Sequence, residues 1–212
     1  MDRVMNMDEA RALVADRELW PRIRNFLWDF APQIEPSWLG DVPGVKDAAD
    51  ICANPRVKAH ILSSLGVESV SYDFAQSDIS RLCLLDGATL LEICKWLGAL
   101  SCAESLRRIT DGKTVKAMKA ALAGVYPEVF NFAMYFRGLG TCEAKSADDV
   151  VSAGFTFFSI CIKDLPAALK LRLRLKLPKD ITAGEMKIDA PAAVLKKLLK
   201  LKFTEAYKLC CS

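Results

Sequence analysis

The chain has 212 residues, of which 52% are hydrophobic and 26% are charged, so it can bury a core and is not a disordered tail. The formal net charge of +3 argues against a strongly basic nucleic-acid-binding protein. The longest uncharged apolar run, Val150–Ile162, has thirteen residues. A membrane-spanning helix needs about 20, and we therefore expect a soluble protein.

Two helices are predicted at the N-terminal end. The segment Asp8–Leu19 begins with acidic residues that suit a helix start, and Pro21–Phe30 places apolar side chains at helical spacing. Residues 31–44 are rich in proline and glycine, which predicts a loop and a candidate boundary. We therefore predict an N-terminal helical element and loop over residues 1–44, followed by a main helical domain with basic C-terminal helices over residues 45–212.

Most of the remaining chain has the spacing of apolar residues and the capping residues of helices. One segment, Glu68–Ser77, could be a strand or a loop. The segment after residue 100 opens with Ser101-x-x-Glu104, the pattern of a capping box. The helices are predicted, in order, over Pro55–Gly66, Asp86–Leu100, Ser101–Ile109, Val115–Gly124, Tyr126–Gly138, Ser146–Asp164 and Ala190–Leu209. The sequence thus predicts an all-α protein with a single compact multi-helix domain.

Leucine alternates with lysine or arginine from Leu169 to Leu177. Strict alternation is typical of a half-buried strand, whereas the helix-favouring composition and the flanking residues Asp164, Pro166 and Pro178 are typical of a helix. We predict a helix wedged between two layers, with leucines on two opposite faces. Its basic side chains would extend to solvent at both edges and be available to a partner.

The chain shows no pattern of an enzyme or a metal site. No two of its eight cysteines form a C-x-x-C pair, and His60 is its one histidine. The tripeptide Gly112–Thr114 resembles the end of a phosphate-binding loop, but Arg107 stands where that loop requires glycine. The N-terminus lacks the apolar region of a signal peptide. We therefore predict a non-enzymatic protein of the reducing cytosol, without catalytic, cofactor-binding or metal-binding residues, whose cysteines are mostly small core residues.

Positive charge is concentrated in two regions. Residues 165–212 contain eleven basic and four acidic side chains and carry +7, so the rest of the chain carries −4. A second cluster contains Arg107, Arg108, Lys113, Lys116 and Lys119. A solvated helix face, an acidic protein partner or a nucleic acid would each explain this second cluster, although no aromatic residue is interleaved with its bases. The predicted partner-binding residues are Arg107, Arg108, Lys113, Lys116, Arg172 and Arg174.

Several short motifs follow one another in a fixed order from Arg81 onward. They are Leu84-Leu85-Asp86, Leu97-Gly98, Leu106 to Ile109, Asp111-Gly112-Lys113 with Val115, Leu165-Pro166, Leu177-Pro178, and a leucine- and lysine-rich helix over Leu195–Cys210. Each motif consists of common residues, but in this order they resemble the SctK family, cytosolic proteins of bacterial type III secretion systems. One departure is Gly87, where many relatives have proline, which we expect to affect only the rigidity of the helix start.

The resemblance implies an all-helical adaptor of the sorting platform, at the cytosolic face of the inner membrane. Its partners would be the cytosolic domain of the inner-membrane ring protein SctD and the pod protein SctQ, and it would take no small-molecule substrate. The alternative left open by the residues themselves is a helical nucleic-acid-binding or regulatory protein that uses its basic helices.

Overall fold

The computed structural model describes residues 16–45, 54–70, 77–136, 139 and 142–211. This part of the chain forms α-helices and short 3-10 helices and contains no strand, which confirms the all-α prediction. The α-helices are α1 (Leu19–Trp28), α2 (Pro55–Ser64), α3 (Gly87–Ser101), α4 (Ala103–Arg108), α5 (Gly112–Ala121), α6 (Val129–Ala133), α7 (Ala147–Cys161), α8 (Ala167–Leu175), α9 (Pro191–Lys202) and α10 (Thr204–Cys211). The 3-10 helices are Ala31–Gln33, Pro36–Asp41 and Ser80–Leu84.

The chain divides into two compact units, each built from separate stretches of sequence. The first unit comprises Met1–Gly87, Leu165–Lys179 and Glu205–Ser212, and the second comprises Ala88–Asp164 and Asp180–Thr204. Residues on both sides of position 44 therefore belong to the first unit. The division into residues 1–44 and 45–212 stays a prediction.

The core of the first unit forms around the 3-10 helix Ser80–Leu84. Both α1 and α8 pack against this segment. Helix α1 buries Ile23 and Phe26, two of the residues that its helical spacing placed on one face. Helix α8 confirms that the alternating leucine stretch is helical and not a strand.

The proline- and glycine-rich segment after α1 is a folded part of the first unit. It buries Ile34, Leu39 and Val42. The amide of Glu35 donates to the carbonyl of Leu175 at 2.8 Å, and the indole nitrogen of Trp38 donates to the carbonyl of Leu177 at 2.9 Å. These long-range hydrogen bonds hold the segment against the end of α8.

In the second unit α3 and α7 cross at two glycines. A Cβ added to Gly98 would lie 1.9 Å from the carbonyl oxygen of Val150, and one added to Gly154 would lie 1.8 Å from the carbonyl oxygen of Cys94. No real Cβ approaches backbone that closely, so the crossing requires glycine on both helices. The close crossing therefore gives a physical reason for the glycine in the Leu97-Gly98 motif.

Several predicted helices are present with their ends shifted by no more than three residues, but others differ. The prediction of a capping box at Ser101 is wrong. Ser101 is the last residue of α3, and its hydroxyl donates to the carbonyl of Leu97. The capping box of the described chain lies instead at Ser146 and Asp149, at the start of α7. The helix predicted over Ala190–Leu209 is interrupted at Phe203, and α6 is much shorter than predicted.

Two sequence predictions lie largely outside the described residues. The N-terminal helix Asp8–Leu19 is described only from residue 16, and the segment Glu68–Ser77 only at residues 68–70 and 77, which form neither helix nor strand. None of the described helices is long and apolar enough to cross a membrane.

Candidate partner-binding surface

The predicted partner-binding residues divide between the two units. Arg107 and Arg108 end α4, and Lys113 and Lys116 lie on α5, all in the second unit. The connection between the helices is only Ile109–Asp111. The Cα atoms of Arg108 and Gly112 are therefore at most about 14 Å apart, so the end of α4 lies close to the start of α5.

Asp111 fixes the start of α5. Its carboxylate accepts hydrogen bonds from the amide of Thr114 at 2.8 Å and from the hydroxyl of Thr114 at 2.7 Å. These bonds, above all the one from the hydroxyl, hold the pKa of Asp111 below its usual value. Because the cap fixes the first turn, it also fixes the direction in which Lys113 projects.

Three lysines form a stripe along the exposed side of α5. Lys113, Lys116 and Lys119 are spaced by three residues, so neighbours are about 60° apart around the helix axis. The buried residue Met118 lies on the other side of the helix. The three ammonium groups form neither an ion pair nor a hydrogen bond with any described residue. We call Lys113, Lys116 and Lys119 the lysine stripe.

Arg107 and Arg108 are exposed but already have internal contacts. Arg108 pairs with Glu104 one turn earlier, an exposed i,i+4 pair of the kind that contributes only about 0.3–0.5 kcal/mol. Arg107 donates to the carbonyl of Phe130 at 3.4 Å, and its guanidinium lies 5.7 Å from the centre of the Phe130 ring. Arg107 therefore also connects α4 to the α6 segment.

The expectation that Arg172 is exposed is wrong. Its side chain is 3% exposed, in the core of the first unit. The guanidinium donates to the carbonyls of Phe26 and Glu68 and lies 4.9 Å from the centre of the Phe30 ring. Backbone carbonyls and aromatic faces thus replace water around the charge, and Arg172 offers no surface to a partner.

Arg174 is partly exposed and holds the segment that follows its own helix. It donates at 2.6 Å to the carbonyls of Pro178 and Lys179. Its guanidinium lies 4.9 Å from the centre of the Trp38 ring. Arg174 therefore makes stabilising contacts within the chain, whether or not it also contacts a partner.

A further buried cation, Lys176, was not among the predicted site residues. Its ammonium group donates to the carbonyls of Cys83 at 2.7 Å and Leu85 at 2.9 Å and lies 5.2 Å from the Phe26 ring centre. Burial lowers its pKa from 10.5 to about 8. In the sequence it is one more base of an alternating run, and the carbonyls that hold it lie some ninety residues earlier.

The backbone of Lys176 also meets Gly87. A Cβ at Gly87 would lie 2.4 Å from the carbonyl oxygen of Lys176. The expectation that Gly87 affects only the rigidity of the helix start is therefore wrong. A proline or any other side chain would require this part of the first unit to move.

Of the seven described cysteines, five are buried and two, Cys142 and Cys211, are partly exposed. Burial raises the pKa of Cys83, Cys102, Cys161 and Cys210 to about 12, so these thiols are largely protonated at neutral pH. The described residues contain no group of three or more potential ligands that could hold a metal ion. His60 lies on α2, where its ring contacts the carbonyl of Pro43 at 3.0 Å.

The comparisons with known proteins identify a family for this chain. The family model described as "YOP proteins translocation protein K (YscK)" matches residues 29–212. No curated protein and no solved structure matches the chain. Because the matched region covers most of the sequence, the chain belongs to the YscK family, the SctK proteins of type III secretion systems.

Proposed function

We propose that this protein is a non-enzymatic adaptor of the type III secretion sorting platform. It links the cytosolic domain of a SctD-like inner-membrane ring protein to a SctQ-like pod protein, at the cytosolic face of the inner membrane. Membership of the YscK family supports a role in secretion. The specific link between the two partners is the proposal.

The observation that carries this proposal is the lysine stripe. An adaptor needs charged groups that are not used internally, and the three lysines are exposed and have no acidic partner among the described residues. Acidic patches on a partner would steer it to this face and fix its register. Arg107 and Arg108 extend the same surface, whereas the buried Arg172 does not contribute to it.

The test is a binding measurement with the full-length chain and each purified partner of the same bacterium. The variant Lys113→Glu, Lys116→Glu, Lys119→Glu reverses the stripe without touching a buried residue. We expect the affinity for at least one partner to fall by about tenfold or more, because like charges then face each other. The matched variant with three glutamines should give an intermediate loss, and Lys187→Glu, an exposed change outside α5, should give none.

Two outcomes would count against the proposal. Unchanged affinity of the folded glutamate variant for both partners would remove the lysine stripe as the contact surface. A complex with duplex DNA or RNA at low salt that weakens steeply as salt rises would favour the alternative, a nucleic-acid-binding protein that uses the same lysines. A gel-shift titration distinguishes the two.

A further inference from the structure

Three of the exposed large apolar side chains lie in the second unit. Among the described residues, the large hydrophobic side chains exposed to solvent are Trp28, Met134, Tyr135 and Leu201. Met134, Tyr135 and Leu201 are 59%, 57% and 44% exposed, and all three belong to the second unit. Single exposed apolar residues are common, so the question is whether these three form one patch.

Two lysines of α9 show how that helix lies beside the α6 segment. Lys197 donates to the carbonyl of Tyr135 at 2.5 Å, and Lys202 pairs with Glu128 at 2.6 Å. As α9 advances from residue 197 to 202, its contacts move back from residue 135 to 128. The two segments therefore run antiparallel, side by side.

The helical geometry places Leu201 at the junction of these segments. Lys197 and Lys202 both reach the α6 segment and are about 140° apart around the axis of α9, and Leu201 lies between them, about 40° from Lys197. Leu201 thus lies on the side of α9 that faces the α6 segment, about one turn along α9 from Lys197, the residue that contacts Tyr135. We call the surface formed by Met134, Tyr135 and Leu201 the α6–α9 crease.

The edge of the crease is positively charged. Lys197 and Lys200 are exposed on α9 and form no ion pair with a described residue. Glu128, the residue just before α6, is already paired with Lys202. An occupant with carboxylates beside an apolar stripe would therefore complement both the centre and the edge.

We propose that the α6–α9 crease is a docking site for an amphipathic helix of a partner protein, with apolar residues on one face and Asp or Glu beside them. This inference rests on the proposed adaptor function, because a linking protein needs a second contact surface different from the first. A membrane surface fits less well. The outward side of α9 carries one large apolar residue, Leu201, among lysines, whereas a helix that lies in a membrane needs a continuous apolar face.

The test is site-specific photo-crosslinking in the bacterium that carries the protein. A photoreactive benzophenone amino acid replaces Tyr135, Leu201 or, as a comparison position in the lysine stripe, Lys119. The crosslinked peptides are identified by mass spectrometry. We expect Tyr135 and Leu201 to react with the same partner segment, which has helical apolar spacing and flanking acids. A synthetic peptide of that segment should bind the full-length chain and bind about fivefold or more weakly to the Leu201→Ser and Lys200→Glu variants.

Several results would overturn the inference. These are crosslinks from both positions to a second copy of this chain, a partner segment without acidic residues, binding of the wild-type chain to phosphatidylglycerol vesicles that Leu201→Ser abolishes, or reaction at Lys119 alone. Conversely, reaction at Tyr135 and Leu201 but not at Lys119 would argue against the lysine stripe as a contact surface and would still support the α6–α9 crease as a docking site. Failure of the inference and failure of the proposed contact surface are therefore distinguishable.

Discussion

The buried ammonium group of Lys176 makes stability depend on pH in an unusual direction. Its pKa is lowered from 10.5 to about 8 mainly by burial. Between these two values the unfolded chain binds the proton and the folded chain does not, so folding stability rises with pH. Below about pH 8 both states are protonated, and the cost of burying the charge is present in full.

The magnitude follows from the size of the shift. One pKa unit corresponds to about 1.4 kcal/mol, so a shift from 10.5 to about 8 costs about 3 kcal/mol at neutral pH. Linkage then gives a recovery of about 2 kcal/mol between pH 7 and pH 9.5. Replacing Lys176 with methionine keeps most of the buried volume and removes the titrating group.

We expect the Lys176→Met variant to lack this rise in folding stability between pH 7 and pH 9.5. Urea unfolding at pH 7 and pH 9.5 should show that the wild type gains about 2 kcal/mol relative to the variant over this range. The loss of the hydrogen bonds to Cys83 and Leu85 lowers the stability of the variant at every pH and cancels in this difference. The raised thiol pKa values lower stability above pH 9 in both proteins. In the Lys187→Met variant, which lacks an exposed ammonium, the free energy of unfolding should change with pH as it does in the wild type. The reasoning would be refuted if the difference in free energy of unfolding between the wild type and Lys176→Met were the same at pH 7 and pH 9.5.

The remaining predictions concern the second unit. Gly98→Ala should lower the free energy of unfolding by about 3 kcal/mol, because its Cβ would meet the carbonyl of Val150, whereas Gly112→Ala, with open space around it, should be neutral or up to about 1 kcal/mol stabilising. Equal effects in urea denaturation would contradict the close crossing. Ser146→Ala should cost about 1 kcal/mol by removing a capping-box hydroxyl, while Ser101→Ala should change stability by less than about 0.5 kcal/mol. Thermal unfolding followed by circular dichroism separates the two, and the reverse order would show that Ser101 is the true cap.

The positions of most α-helices were predictable from the sequence because helix formation depends on local properties. The apolar spacing of α1 and the proline in the first turn of α2 each act within one or two turns. Ser101 and Ser146 show the limit. Both precede an acid by three residues, but the chain around Ser101 is still helical and its hydroxyl bonds back to Leu97. A short motif therefore identifies a cap only when the preceding backbone is already known.

The exposed part of the candidate site follows from local spacing, whereas its buried part does not. Lys113 and Lys116 are three residues apart on one helix and are both exposed, and their role in binding a partner stays a prediction. The environment of Arg172 depends on carbonyls of Phe26 and Glu68, more than a hundred residues away. The α6–α9 crease likewise depends on how α9 lies beside another segment. No local pattern contains that information.

The buried side chains of Arg172 and Lys176 both donate to backbone carbonyls, which explains why the core tolerates these charges without buried carboxylates. Arg172 reaches the carbonyl of Phe26 in the last turn of α1, and Lys176 reaches the carbonyls of Cys83 and Leu85 at the end of a 3-10 helix. Carbonyls at a helix end lack intrahelical partners and carry the negative end of the helix dipole. The bases therefore act as distant C-terminal caps. An alternating leucine and base pattern suits a helix that is covered on several sides, because its leucines fill the core while its bases satisfy the helix ends that meet there.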